Sequence, residues 1–208
     1  MSSASSTGPA DITRFWFGEL RDGLANEAQR RRWFMPDPAL DAEIRERFGD
    51  LLTAALRGEL AGWARSPSSA LSLVLVCDQF SRQVHRGSRD AYATDPLALQ
   101  TARRVIERGE DQQLAFDERA FLYMPFQHSE SRLDQHTAVG LYLGLRDTAS
   151  DTQRRHAEGF LKHARSHRDI VLQFGRFPHR NRLLGRQSTA EEEVFLVTAR
   201  DFGQSSRR

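Results

Sequence analysis

The chain has 208 residues, of which 39% are hydrophobic and 28% are charged, the composition of an ordinary soluble domain. Its 30 Lys and Arg residues nearly balance its 28 Asp and Glu residues, and because no basic block stands out we predict no nucleic-acid partner. Apolar runs such as residues 73–77 are too short to cross a bilayer, so we also predict no membrane partner.

The two ends of the chain are small and polar, and they are predicted to lie outside the folded part. We expect residues 1–8 to form a disordered tail, residues 9–203 a single all-helical domain, and residues 204–208 a frayed end. The first residues lack the basic and then apolar stretches of a secretory signal peptide. The single cysteine, Cys77, lies in an apolar run and suits a reducing compartment. We therefore predict a cytoplasmic protein.

The first predicted helix is short and aromatic, with Phe15, Trp16 and Phe17 in one turn, so we expect it to pack onto the body of the domain. A short Arg-rich helix is predicted over residues 26–33. Three later helices begin with a capping residue followed by a proline at the first helical position. These starts are Asp37-Pro38, Ser66-Pro67 and Asp95-Pro96.

The helix after Ser66 is predicted to be central, because residues 70–77 are almost wholly apolar and no breaker follows until about residue 84. Asp78, Arg82 and Arg86 follow at spacings of four, which places them on one face if the helix continues that far. We expect this face to point toward the segment formed by residues 174–189.

The remaining elements are also predicted to be helices. Pro125 is expected to break or kink a helix that starts near residue 117. The next helix starts at Ser131 or Leu133, and the longest covers residues 152–174. Thr189 and the glutamates that follow it form a capping-box pattern for the last helix. Because no Val/Ile/Thr alternation appears, we predict an all-α fold with about eight to ten helices.

Residues 174–189 have neither a helical nor a strand period, yet they are dense in groups that bind ligands. Glycine permits positive φ, so Gly175 and Gly185 suit sharp turns, and Phe174 and Phe177 suit anchors to the core. An ordered segment of this length is usually functional. Its polar side chains are Arg176, His179, Arg180, Asn181, Arg182 and Arg186.

Several stretches of the chain form a pattern together. They are FWFGE (15–19), residues 41–45, DQFSRQVHRG (78–87), residues 93–99, MPFQHSE (124–130) and residues 174–189. From Phe15 to Phe202 the chain resembles the uncharacterised family known as domain of unknown function 924. The resemblance implies antiparallel helix pairs stacked in a right-handed superhelix, like tetratricopeptide-repeat proteins, and it implies no established activity. Ser81 and Gln83 stand where the family usually has proline and asparagine.

The polar residues of these motifs define the candidate site. Our leading interpretation is an electropositive pocket for an anionic small molecule, a phosphate or a carboxylate, because the planar fork of arginine matches both groups. The expected ligand-binding residues are Asp78, Arg82, Arg86, His128, Glu130, Gln135, His167, Arg176, His179, Arg180, Asn181 and Arg186.

Three alternatives stay open at this stage. The first is an acid–base or hydrolytic enzyme in which His128 and His179 carry protons and Glu130 or Asp78 orients one of them. The second is a scaffold that binds a protein segment, with Asp78–Arg82 and Glu130–Arg180 as buried structural pairs. The third, a metal site at His163 and His167, is weak because Asp169 points elsewhere on the helix. We predict no metal and no cofactor.

Overall fold

The computed structural model of the chain describes residues 7–35 and 37–198. Within these residues the chain is helical and forms no strand, apart from one isolated bridge between Arg21 and Leu24. The prediction of an all-α fold is therefore confirmed. The predicted tail at residues 204–208, and most of the one at residues 1–8, lie outside the described residues.

Nine helices make up the described chain, within the predicted range. Their bounds are α1 Pro9–Phe17, α2 Glu27–Phe34, α3 Pro38–Leu56, α4 residues 67–84, α5 Asp95–Glu107, α6 Phe116–His128, α7 Arg132–Asp147, α8 Asp151–Phe174 and α9 Ala190–Thr198. Among the described residues, no helix is both long enough and apolar enough to span a bilayer.

Helix α4 is the centre of the fold, as predicted, and it packs against α1, α3, α5 and α6. It is α-helical over Pro67–Val74, widens to a π-helix over Leu75–Phe80 and ends with an α-helical turn, Ser81–Val84. Cys77 within it is fully buried, and burial raises the pKa of its thiol to about 12. The predicted burial of Cys77 is confirmed, and its inertness toward thiol reagents stays a prediction.

An aromatic cluster joins the N-terminal helices to this centre. Trp16 of α1 lies with its ring centroid 5.6 Å from those of Phe80 and Phe121, and Trp33 of α2 lies 4.7 Å from Phe121. Trp16 is 1% exposed. The expectation that the aromatic first helix packs onto the body is confirmed.

Two of the three predicted helix starts have the expected cap. Asp37 accepts a hydrogen bond from the Ala39 amide at 2.9 Å, and Ser66 accepts one from the Ser69 amide at 3.3 Å. At α5 the N-cap is Thr94 instead, and Asp95 is the first helical residue. The carboxylate of Asp95 accepts from the Arg82 side chain, so it is engaged away from the helix end.

Of the two expected effects of Pro125, a break is wrong, because α6 continues through it to His128, and a kink stays a prediction. A proline inside a helix removes one backbone hydrogen bond and crowds the preceding turn. Here the flanking residues Leu122, Met124 and Phe126 are all buried. Their packing in the core outweighs the local cost and keeps the last turn helical, which places His128 at the helix end.

In the C-terminal half of the fold, consecutive helices pack against each other, and α7 contacts both α6 and α8. Helix α8 ends at Gly175, whose φ of 72° places it in the left-handed region that glycine favours. Gly185 has a φ of 67°. Both predicted turns are confirmed, whereas the right-handed superhelical stacking stays a prediction.

Candidate functional site

Part of the predicted site gathers where α4, α6 and α8 approach the loop formed by residues 175–189. His128 ends α6, and its ring centroid lies 5.9 Å from that of His167 on α8. Arg180, in the short helical turn Pro178–Arg180, donates from Nη2 to the His128 carbonyl oxygen at 2.9 Å. Asp78 and Arg82 reach the same place from α4.

The centre of this cluster is a hydrogen-bonded pair of Asp78 and His128. The Asp78 carboxylate is fully buried, and its Oδ1 lies 2.7 Å from His128 Nδ1. An ionised carboxylate only accepts, so Nδ1 carries the proton. The other ring nitrogen, Nε2, has no hydrogen-bond partner in the described part of the chain, and 14% of the His128 side chain is exposed. The pair therefore presents a lone pair on Nε2.

The charges around this pair fix its protonation. Burial alone raises the pKa of the Asp78 carboxyl, but Arg82 at 3.1 Å and then His128 outweigh it and hold that pKa below its usual range. Burial lowers the pKa of His128, and Asp78 offsets this only in part. At pH 7 we therefore expect an ionised Asp78 beside a neutral His128.

Two arginines and a second carboxylate complete the cluster. Arg82 donates through both Nη atoms to Asp95, at 2.9 and 3.0 Å, and Arg180 Nη1 lies 3.7 Å from the same carboxylate. The Arg180 guanidinium also stacks between the rings of Tyr92 and Phe177, at 4.6 and 4.5 Å from their centroids. Two carboxylates thus face two guanidinium groups, so the cluster is charge-balanced rather than electropositive.

Several buried polar atoms around His128 lack a partner among the described residues. Two are donors, the Tyr92 hydroxyl and Arg180 Nε, and two are acceptors, the Oε1 atoms of Gln127 and Gln135. Gln135 Nε2 donates to the carbonyl oxygens of Gln127 and Ser129, on either side of His128. Because buried polar groups are normally satisfied, these atoms mark places where water or a polar ligand binds.

The predicted pairing of Glu130 with Arg180 is wrong. Glu130 accepts two hydrogen bonds from Arg186, at 2.6 and 2.9 Å, and one from the Phe177 amide at 2.8 Å. This leaves Glu130 unable to orient a histidine. Arg180 is held between the rings of Tyr92 and Phe177. Arg186 takes its place as the partner, and its Nη2 also donates to the Phe177 carbonyl oxygen at 3.1 Å.

The loop is closed at its other end by Glu192 of α9. Arg176 donates to both carboxylate oxygens of Glu192, at 2.6 and 2.8 Å. Asn181 donates to Glu192 at 3.2 Å and accepts from Arg186 Nε at 3.0 Å. Glu192 also accepts from the Thr189 amide, which confirms the predicted capping box. These residues hold the loop and do not face His128.

Arg86 does not join the cluster either. Its guanidinium donates from Nε and Nη2 to Asp41 of α3, at 2.7 and 2.9 Å. The expected common face of α4 therefore divides, with Asp78 and Arg82 toward the loop and Arg86 toward α3. The wide turn over Leu75–Phe80 alters the spacing of side chains along this helix, which a regular α-helical period does not anticipate.

The remaining histidines have different surroundings. His167 Nδ1 donates to the His163 carbonyl oxygen at 2.9 Å, and burial, with the nearby His128, lowers the pKa of His167 to about 3. The ring of His179 lies 5.4 Å from that of Phe177. Within residues 7–35 and 37–198, no three His, Cys, Asp or Glu side chains are placed to hold a metal ion together.

Sequence reasoning missed Tyr92, Asp95 and Gln127 as members of the site. Asp95 was interpreted as a helix cap, although its position in the 93–99 motif, close to Tyr92, was a usable signal. Gln127 is part of MPFQHSE and precedes His128 directly. Each of these residues gains its role only from contacts with segments distant in the sequence.

Residues 12–200 match the family model described as bacterial protein of unknown function (DUF924). A solved structure of a protein of unknown function from Agrobacterium tumefaciens is 41% identical and has a TM-score of 0.78, and the match covers 92% of this chain and 97% of that one. Among curated proteins no match was found. The chain therefore belongs to the bacterial family of unknown function DUF924.

Proposed function

We propose that this protein is an acid–base enzyme acting on a small molecule, with His128 as the residue that exchanges the proton. The observation that carries this proposal is the buried Asp78–His128 pair. Nδ1 of His128 lies 2.7 Å from Oδ1 of Asp78, and Nε2 of His128 has no hydrogen-bond partner in the described part of the chain. A carboxylate that holds one imidazole nitrogen fixes the tautomer and leaves the other nitrogen basic.

The surroundings of the pair favour a neutral His128 that accepts a proton over a charged His128 that donates one. The pKa of His128 is lowered chiefly by burial, so the neutral form predominates near pH 7 and accepts a proton. Asp78 lies in the π-helical segment of α4, a feature that is frequent at functional sites. Nε2 of His128 takes a proton from the substrate, or from an attacking water if the reaction is a hydrolysis.

The substrate is proposed to carry an anionic group, a carboxylate or a phosphate. The forks of Arg82, Arg86, Arg176 and Arg186 are engaged by carboxylates, so they are poor candidates for holding this group. Arg180 Nε and the Tyr92 hydroxyl are two buried donors that lack partners among the described residues. Both lie close to His128, because Arg180 donates to its carbonyl oxygen. A reducing, cytoplasmic setting is part of the same proposal and rests on the buried Cys77.

The test is substrate profiling with a matched control. The purified protein is incubated with a mixture of small carboxylates and phosphate esters, and mass spectrometry identifies the compounds consumed. His128→Gln removes the basic nitrogen, whereas His136→Gln changes an exposed histidine of α7. We expect wild type and His136→Gln to consume the same compound, and His128→Gln to lose at least about a hundredfold in rate.

A competing interpretation is a scaffold that binds protein segments and uses the same polar residues as internal supports. It is favoured by the bidentate pairs Arg186–Glu130 and Arg176–Glu192, which brace the loop. Under that interpretation, His128→Gln changes no turnover because there is none. Equal consumption by wild type and His128→Gln would reject the catalytic role of His128.

A further inference from the structure

A cavity of about 210 Å³ has lining residues that are all different from those of the cluster around His128. It is formed by α3, the C-terminal end of α4 and the short helical turn Arg89–Tyr92. Its volume equals that of about seven water molecules, so it suits a compact organic molecule rather than a nucleotide-sized one.

The walls of this cavity are mainly apolar. Leu52 and Val84 line it, together with Leu56, an exposed leucine whose side chain is 62% open to solvent. The hydroxyls of Ser81 and Thr94 also line it, but they donate to backbone carbonyl oxygens of Ala91 and Cys77, at 3.1 and 2.6 Å. The apolar walls therefore match an apolar ligand body.

Gly49 of α3 lines the cavity without a side chain that would fill it. A glycine inside a helix lowers helix stability relative to other residues. A Cβ built at Gly49 meets no atom within 4 Å, so close packing does not require glycine there. The missing side chain leaves room on the α3 side of the cavity.

The polar edge of the cavity carries a negative charge. Asp90 is the one carboxylate among its described lining residues, His85 also lines it, and those residues include neither lysine nor arginine. This is notable in a chain with 30 Lys and Arg residues. Asp90 is exposed, and within the described part of the chain its carboxylate accepts only from the Ser88 hydroxyl, at 3.3 Å, so it is accessible to a cation.

We propose that this cavity binds a small primary amine with an apolar body. The body lies against Leu52, Leu56 and Val84, the ammonium group pairs with Asp90, and the imidazole of His85 accepts a second hydrogen bond from it. An ammonium group donates up to three hydrogen bonds and accepts none, which suits a site that offers a carboxylate and an imidazole acceptor.

The test uses phenethylamine as the amine and phenylacetate as its acidic counterpart of similar size. Binding is followed by calorimetry up to about 10 mM, a range that detects a Kd near 1 mM. We expect phenethylamine to bind the wild type and phenylacetate not to bind. Asp90→Asn should weaken amine binding roughly tenfold, because a charge-assisted hydrogen bond is lost.

A pair of glycine variants makes the test specific to the cavity. Gly49→Leu fills the open space and is expected to abolish binding while the melting temperature stays the same or rises, since leucine is the better helix former. Gly159→Leu is the control, because Gly159 of α8 also has no atom within 4 Å of a built Cβ but lies away from the cavity. No amine binding, equal binding of phenylacetate, or unchanged binding by Gly49→Leu would overturn the proposal.

Discussion

At the scale of single residues, the partner of each side chain decides what it does. His128 and His167 lie side by side, yet one donates Nδ1–H to the Asp78 carboxylate and the other to a backbone carbonyl. The carboxylate makes His128 the more basic of the two, because it stabilises a positive imidazole. This difference is why we assign the proton transfer to His128.

Arg180 is a buried structural residue as well as a neighbour of the Asp78–His128 pair (the dyad), so its removal should destabilise the fold. It stacks between Tyr92 and Phe177 and donates to the His128 carbonyl oxygen. We expect Arg180→Ala to lower the free energy of unfolding by about 2–5 kcal/mol, from two cation–π contacts and one charge-assisted hydrogen bond.

Urea unfolding measures this effect, and Arg182→Ala is the control. Arg182 lies in the same loop but is exposed, so its removal should change the free energy of unfolding by less than about 0.5 kcal/mol. Similar values for the two variants would contradict the buried role of Arg180.

At the scale of elements, the 175–189 loop shows how an irregular segment becomes ordered. Its order was predicted from its turns and apolar anchors, and both glycine turns are present. Its pairings were not predictable, because Glu130 and Arg186 are 56 positions apart and several arginines of similar reach compete for each carboxylate.

Glu130 should act as a clamp on this loop. Its pair with Arg186 is about one quarter exposed on each side, so we expect Glu130→Gln to cost about 1–2 kcal/mol, between the values for exposed and buried pairs. The glutamine keeps an acceptor for the Phe177 amide but loses the charge. Hydrogen exchange of amides 177–186 should accelerate in this variant.

The control for the clamp is Glu158→Gln, which alters an exposed glutamate on α8. Its loop amides should exchange as in the wild type. If Glu130→Gln exchanged equally slowly, the ion pair would not be what holds the loop, and the hydrophobic anchor Phe177 would have to be sufficient.

At the scale of the whole molecule, the helical fold was predictable but two local features were not. Caps and apolar spacing locate most helices, since local sequence determines both. The π-helical turn in α4 involves the same apolar letters as an α-helix, and the continuation of α6 through Pro125 depends on burial of its neighbours. These two features determine the positions of Asp78 and His128, so the pairing of these two residues could not be predicted from local sequence patterns.

Buried histidine should make stability depend on pH. The pKa of His167 is about 3 in the folded chain and about 6.5 when unfolded. Between these values the unfolded state binds a proton that the folded state does not, so stability is full above pH 6.5 and falls as pH decreases. We expect a contribution of about 1.4 kcal/mol per pH unit over this window.

The measurement is the free energy of urea unfolding between about pH 7 and pH 4.5, for wild type and His167→Asn. Asparagine keeps a donor for the His163 carbonyl oxygen but does not titrate. The stability of His167→Asn should therefore fall less steeply with pH than that of the wild type, by about 1.4 kcal/mol per pH unit. Parallel profiles for the two proteins would show that His167 titrates normally when folded. The carboxyls with lowered pKa, Asp78, Glu130 and Glu192, add their own loss of stability only below about pH 4.5.

The central claim is that Asp78 fixes His128 with a proton on Nδ1 and a free lone pair on Nε2. The most direct measurement is NMR of the protein labelled with ¹⁵N in its histidine rings at pH 7, with the His128 signals assigned by their disappearance in His128→Gln. The account predicts a protonated Nδ1 and an unprotonated Nε2. A proton on Nε2 in place of Nδ1, or an imidazolium with both nitrogens protonated, would contradict it.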